Sequence, residues 1–287
     1  MEHVIWDFDP EIFRFGNFGP RYYGLMFAMG FLVSYRIIEK MWKEESRSLE
    51  SLSSLLVHVM VGTILGARLG HCLFYDPAYY LSNPLEILMV WKGGLASHGG
   101  TLGVIVSVWL YAKKNLDQPY GWLADRLATV IPFGAGSIRV GNFFNSEILG
   151  RPTDVPWAII FKKHDMIPRH PAMLYEAMSY YILFVILLVR YLRNNRQVRP
   201  GSQIGLMMIW IFGSRFVLEY FKENQVAFEN GMIMNMGQIL SIPFVVAGIF
   251  LFTGKYRLFM PSGYGHLEDN ASSPTEPENP HQKTKKK

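Results

Sequence analysis

The chain has 287 residues, of which half are apolar, 15% aromatic and only 18% charged; its net charge is +5 and its mean hydropathy +0.13. The single cysteine, Cys72, excludes an internal disulfide and a cysteine-rich metal site. The apolar residues cluster into runs, which excludes an ordinary soluble globule and reads as an all-α polytopic membrane protein. In that setting an excess of basic residues points to topology and anionic lipid rather than to nucleic acid.

The opening MEHVIWDFDPEIFRFGNFGP has no basic n-region and no small-residue cleavage site, so the first apolar run reads as an uncleaved anchor. Hydropathy then predicts about seven spans, near Tyr22–Ile38, Leu52–Tyr75, Ser97–Ala112, Trp122–Ile138, Pro171–Val189, Ile204–Phe221 and Met236–Phe252. Pro84–Trp91 is too short to cross and reads as an interfacial piece. Lys40, Lys43 and Arg47 follow the first span, and Lys113 and Lys114 the third. Arg190, Arg193, Arg196 and Arg199 follow the fifth, and Lys255, Arg257 and a terminal KTKKK the seventh. These alternate loops should be cytoplasmic, with the N-terminus outside and the C-terminus inside. Arg151, Lys162, Lys163 and Arg169 break that pattern on the outer side, where they could attract anionic headgroups. Residues 1–260 form the expected membrane domain, and 261–287, rich in Pro, Ser, Asn, Glu and Lys, a disordered cytoplasmic tail.

This topology sorts the polar residues by depth. Arg68 lies about 16 residues into the second span, ~24 Å from its inner end. His98 opens the third span, Arg139 closes the fourth, Glu176 lies about a turn into the fifth, Arg215 and Glu219 lie far up the sixth, and Gln238 opens the seventh. All fall in the outer half of the bilayer; Asp125 is the exception, near the inner side. Charge at such depth is costly unless it is paired or functional. The segment IPFGAGSIRVGNFFNSEILGR, residues 131–151, concentrates it: Arg139, Asn142 and Asn145 recur every third position and so share one helix face.

Each feature has a plain reading beside the functional one. Gly62, Gly66 and Gly70 read as a helix-packing stripe. Arg68 is either a structural partner of Glu147, Glu176 or Glu219 or a lipid contact. His71 reads as a satisfied interfacial histidine. Tyr22, Tyr23, Trp91 and Trp122 suit an aromatic belt first. Arg139 and Arg215 could form two separate ion pairs, with Glu147 or Glu176 and with Glu219. They could equally hold a phosphate in two planar forks, the reading favoured here. His98, in GGLASHGGTLG, is uncrowded and suited to accepting a proton near neutral pH. Walker A, G-x-S-x-G and H-E-x-x-H patterns are missing from the sequence, so ATPase, serine hydrolase and zinc protease readings lack support.

The chain resembles the bacterial prolipoprotein diacylglyceryl transferases over nearly its whole length apart from its two ends. The resemblance rests on YYGLMF (22–27), GARLGHCLFY (66–75), GGLASHGGTLG (93–103), RVGNFFNSEILGR (139–151), RHPAMLYE (169–176), GSRFVLEYFK (213–222) and MGQILSIP (236–243). It implies a seven-span inner-membrane enzyme with its site facing the outer leaflet. Such an enzyme moves the diacylglyceryl group of phosphatidylglycerol onto the lipobox cysteine of a prolipoprotein and releases glycerol 1-phosphate, with no metal or redox cofactor required. It implies His98 as the essential histidine and Arg139 and Arg215 as phosphate contacts. Tyr23, Asn142, Glu147 and Gly150 would be substrate-binding positions, and Arg68, Asn145, Glu176 and Glu219 supports. His98 is either the base for the thiol or an orienting group, with an arginine then favouring thiolate. His71, Ile211 and Lys222 depart from residues common in the family. An anionic-lipid flippase, which needs polar groups in both leaflets, and a membrane scaffold are the competing classes.

Overall fold

The computed structural model describes residues 3–16, 19–90, 93–194, 198–223 and 232–255. Trp91, Arg196, Arg257 and the expected tail 261–287 lie outside them. Eight α-helices occur among the described residues: α1 Tyr22–Glu44, α2 Leu49–Phe74, α3 Pro77–Ser82, α4 Ser97–Lys114, α5 Tyr120–Phe144, α6 Ala172–Arg193, α7 Ser202–Leu218 and α8 Met236–Thr253. All but the short α3 occupy the seven expected positions. Four, α2, α6, α8 and α7 extended to Phe221, are long and apolar enough to cross a bilayer. The all-α expectation needs one amendment. Three short strands, β1 Val4–Trp6, β2 Ile159–Phe161 and β3 Pro168–Arg169, form a sheet in the order β1-β2-β3, with β1 parallel and β3 antiparallel to β2.

Packing divides the chain into two compact units, one made of Met1–Ile38 and Asp125–Pro261, the other centred on Glu39–Ala124. In the first unit, Gly30 of α1 lies against α5, where an added Cβ would stand 2.9 Å from Ser137 Cβ. Gly205 of α7 and Gly248 of α8 allow a similar approach, and Phe212 and Phe244 stack at 4.4 Å. Small residues replace bulk where backbones must meet, because packing rather than water exclusion drives helix association in lipid. The sheet rests on Leu149, Phe161 and Met173, with Trp6 tilted over Phe143 at 4.2 Å. It thereby ties the N-terminal segment to the α5–α6 connection.

Asp125 explains itself here. Its buried carboxylate accepts hydrogen bonds from the N–H groups of Gly201 (2.8 Å), Gln203 (2.9 Å) and Ile204 (2.9 Å). These are the unpaired donors at the start of α7, where negative charge is favoured. Gln203, also buried, reaches Thr129 Oγ1 (3.3 Å) and the Leu187 carbonyl (2.9 Å) and extends the polar junction. Gln238 is likewise part of a capping box with Asn235 at the head of α8.

In the second unit α2 packs on α4 through the expected stripe. Cβ atoms at Gly62 and Gly70 would lie 2.6 Å from Ser107 Cβ and 2.8 Å from Gly99 Cα, and Gly66 meets the Gly99 and Gly103 backbone. The interfacial piece forms a 3-10 turn at Pro84–Leu88.

Candidate functional site

Helix α5 ends at Phe144, and the chain then makes an abrupt reversal. Ser146 and Ile148 hold left-handed backbone, φ 55° and 58°, unusual for an L-residue and costly for a β-branched one. The reversal turns Glu147 back toward its own helix. Its carboxylate accepts from Asn142 Nδ2 (2.8 Å) and Asn145 Nδ2 (3.0 Å), while Arg139 Nη1 donates to Asn142 Oδ1 (3.2 Å). The every-third-residue pattern is therefore a connected row of polar contacts. Tyr23 packs on the same helix, its Cδ2 2.9 Å from where a Cβ on Gly141 would stand.

From Arg139 the charges alternate across three elements. Arg139 Nε lies 2.8 Å from Glu176 Oε2, and Glu176 Oε1 lies 2.7 Å from Lys222 Nζ. Lys222 Nζ is 3.3 Å from Glu219 Oε2, which is 3.9 Å from Arg215 Nε. The interior of this row is out of solvent: the side chains of Glu176 and Lys222 are 0% and 4% exposed. Its ends are the two arginines, 23% exposed at Arg139 and 43% at Arg215. Three cations against two carboxylates leave one positive charge on the row. The Arg215 contact is too long for a hydrogen bond, so that guanidinium is the more loosely held. Gly237 lies against the Glu219 carboxylate, whose Cδ would be 2.6 Å from a Cβ there. Both ion pairs of the plain reading thus exist, but a lysine joins them into one structure.

Lys222 is the residue the sequence reading missed, having been noted only as a departure. Its spacing from Glu219, three positions on, was the available signal. Gly150 stands beside it in an isolated antiparallel bridge to Lys222. Gly150 N–H donates to the His170 carbonyl (3.0 Å), Arg151 N–H to that of Phe221 (2.8 Å), and Arg151 Nε to that of Lys222 (2.8 Å). A Cβ on Gly150 would lie 2.6 Å from His170 Cβ and 2.7 Å from the Phe221 carbonyl oxygen. Gly150 is therefore a backbone crossing point rather than an open cradle.

Most of the misplaced cations of the α5–α6 connection have partners within the unit. Arg169 pairs with Asp165 (2.5 Å) and Glu223 (3.2 Å), and Lys162 pairs with Asp7. The Arg169 hydrogen bond holds the Asp165 carboxyl below its usual range, and burial lowers His170. Tyr175 joins His170 Nδ1 (3.0 Å) to the indole N–H of Trp157 (2.8 Å).

Arg68 and His98 belong to the second unit, so the first unit brings together Tyr23, Arg139, Asn142, Asn145, Glu147, Gly150, Glu176, Arg215 and Glu219 without them. Arg68 is structural in its contacts: Nε donates to the Ile87 carbonyl (3.0 Å), Nη2 to that of Glu86 (2.5 Å) and Nη1 to that of Gly93 (2.6 Å). Its guanidinium also lies 5.0 Å from the Tyr80 ring. His71 stacks on Tyr75 at 5.2 Å. His98 sits in the first turn of α4, exposed, with its ring stacked 6.0 Å from Tyr75.

Apolar helices of bilayer length, four of them among the described residues, mark a multi-pass membrane protein, and its first unit holds a buried row of alternating charge with an arginine at each end. The profile of the prolipoprotein diacylglyceryl transferases matches residues 10–253, and the chain belongs to that family. It is 44% identical to the phosphatidylglycerol–prolipoprotein diacylglyceryl transferase of Tolumonas auensis, over 86% of this chain and 96% of that protein. It is 41% identical to the protein of that name from Chloroherpeton thalassium (87% and 93% covered) and 44% to that from Bacteroides fragilis (88% and 96%).

Proposed function

We propose that the chain transfers the diacylglyceryl group of phosphatidylglycerol to the lipobox cysteine of prolipoproteins, the first step of lipoprotein maturation. The observation that carries this reading is the Arg139–Glu176–Lys222–Glu219–Arg215 row, whose accessible ends are guanidinium groups able to accept a phosphate in planar forks. In the reaction the cysteine sulfur attacks the glycerol carbon that bears phosphate. A C–S bond forms, the C–O bond breaks, and glycerol 1-phosphate leaves with the electron pair. Charge gathers on the leaving phosphate, and preplaced arginines in a water-poor site stabilise it most in the transition state. A thiol of reference pKa about 8.5 is mostly protonated at neutral pH and must lose its proton. His98 takes that proton; the support is its place in the family's GGLASHGGTLG motif and its exposed ring.

Tyr23, Asn142 and Glu147 support Arg139, and Gly150 supports the seat of Lys222. The membrane domain, residues 1–260, crosses the inner membrane seven times with its N-terminus outside, and the site faces the outer leaflet. The β1–β2 pairing supports the parity of this topology, since it requires an even number of crossings between residue 6 and residue 159. The test is to incubate the purified protein with phosphatidylglycerol and a lipobox peptide. Thioether-linked diacylglyceryl peptide is the expected product. None, where a control transferase works, overturns the reading.

A further inference from the structure

We propose that Lys222 is a positioning residue that holds Arg139 and Arg215 in a common register through the two carboxylates it shares. This rests on the transferase reading above. Its ammonium is buried with Glu176 Oε1 at 2.7 Å and Glu219 Oε2 at 3.3 Å, and each of those glutamates faces one arginine with its other contact. Glu176 comes from α6, Glu219 and Arg215 from the end of α7, and Arg139 from α5. Lys222 is thus the junction through which three helix ends are tied. Without it two buried carboxylates would face one another with no cation between them, and like charges at that range repel strongly.

The backbone fixes the lysine as firmly as its side chain is fixed. Lys222 N–H donates to the Glu219 carbonyl (3.2 Å), its own carbonyl accepts from Arg151 Nε (2.8 Å), and its strand-like bridge is to Gly150. The close approach at Gly150 is what lets residues 221–222 lie there at all. Gly150 therefore acts on the phosphate site through Lys222, not by touching substrate. An ammonium is a compact charge with three donors, which suits a seat between two carboxylates.

The experiment compares Lys222→Met and Lys222→Arg in the transferase assay, with phosphatidylglycerol affinity and melting temperature measured on the same preparations. A displacement of about 1 Å in groups that hold a reacting centre costs on the order of 100-fold in rate. Lys222→Met should therefore lose about 100-fold in kcat/KM, with phosphatidylglycerol affinity falling alongside kcat. Lys222→Arg, which keeps a cation that can bridge both carboxylates, should recover most of that loss. If Lys222→Met does not fold, the Lys222→Met/Glu219→Gln pair, which removes one carboxylate with the lysine, takes its place with the same expected loss. Met and Arg variants that turn over alike, or a folded Met variant within about threefold of the unmutated kcat/KM, overturn the proposal. Unmutated protein that makes no product overturns the transferase reading instead. Phosphatidylglycerol affinity then decides Lys222: loss in the Met variant and recovery in the Arg variant supports it, and equal affinity in all three overturns it.

Discussion

Replacing Asp125 should destabilise the first unit by removing the acceptor at the head of α7. The carboxylate is fully buried and satisfies three N–H groups at the start of α7. In Asp125→Ala those donors lose their acceptor, and an unpaired buried donor costs about 1–3 kcal/mol. Gly201 and Gln203 are buried and Ile204 is half-buried, so about 2, 2 and 1 kcal/mol are reasonable shares. Relief from burying a carboxylate offsets about 2 kcal/mol of that sum. The net is about 3 kcal/mol, or about 6–12 °C in melting temperature for a chain of this size. Asp125→Asn keeps one acceptor oxygen and should lose about half as much. Thermal unfolding of the purified protein in detergent reads both variants. The cap reasoning is refuted if Asp125→Ala melts within about 2 °C of the unmutated chain, or if Asn is worse than Ala.

Three further outcomes are expected. Gly150→Ala forces a Cβ against His170 and the Phe221 carbonyl, and should lower activity at least as much as Lys222→Met in the same assay. Arg68→Lys cannot serve three carbonyls in a fixed fork, and should loosen the Pro84–Leu88 turn by about 2 kcal/mol, seen as faster amide exchange there. Burial lowers His170, so its contribution to stability is complete above the unfolded pKa of about 6.5 and is lost as pH falls through the folded value. Asp165, lowered by Arg169, follows the same sign in the more acid range. Exchange protection around β2 and β3, corrected for the intrinsic pH dependence of amide exchange, should therefore fall as pH drops below about 6.5, and His170→Asn should remove that near-neutral pH dependence.

The helix positions were legible because apolar runs and their polar breaks are local signals. So was the glycine stripe of α2, whose spacing alone describes its face. Features that depend on distant partners were not legible. Strand β1 is three residues long and exists because Ile5 meets Ile160. Asp125 looked anomalous because the first N–H it accepts from, that of Gly201, lies 76 residues later. Arg68 stood undecided between lipid and structure until the carbonyls of Glu86, Ile87 and Gly93 accounted for its donors. The cations of the α5–α6 connection read as free to attract headgroups, yet Arg169 and Lys162 are paired with acids nearby. Within the site, Arg139, Asn142 and Asn145 were legible as a row. Lys222 was not, because its meaning lies in Glu176 on another helix.

The most direct measurement is the turnover of Arg215→Ala with phosphatidylglycerol and a lipobox peptide. Arg215 is the exposed, loosely paired end of the row, so its loss should remove transition-state charge stabilisation while leaving the buried pairs intact. A drop of about 100- to 1000-fold in kcat is expected, as for removal of one oxyanion-stabilising donor. Turnover at the unmutated rate would contradict a phosphate held between Arg139 and Arg215.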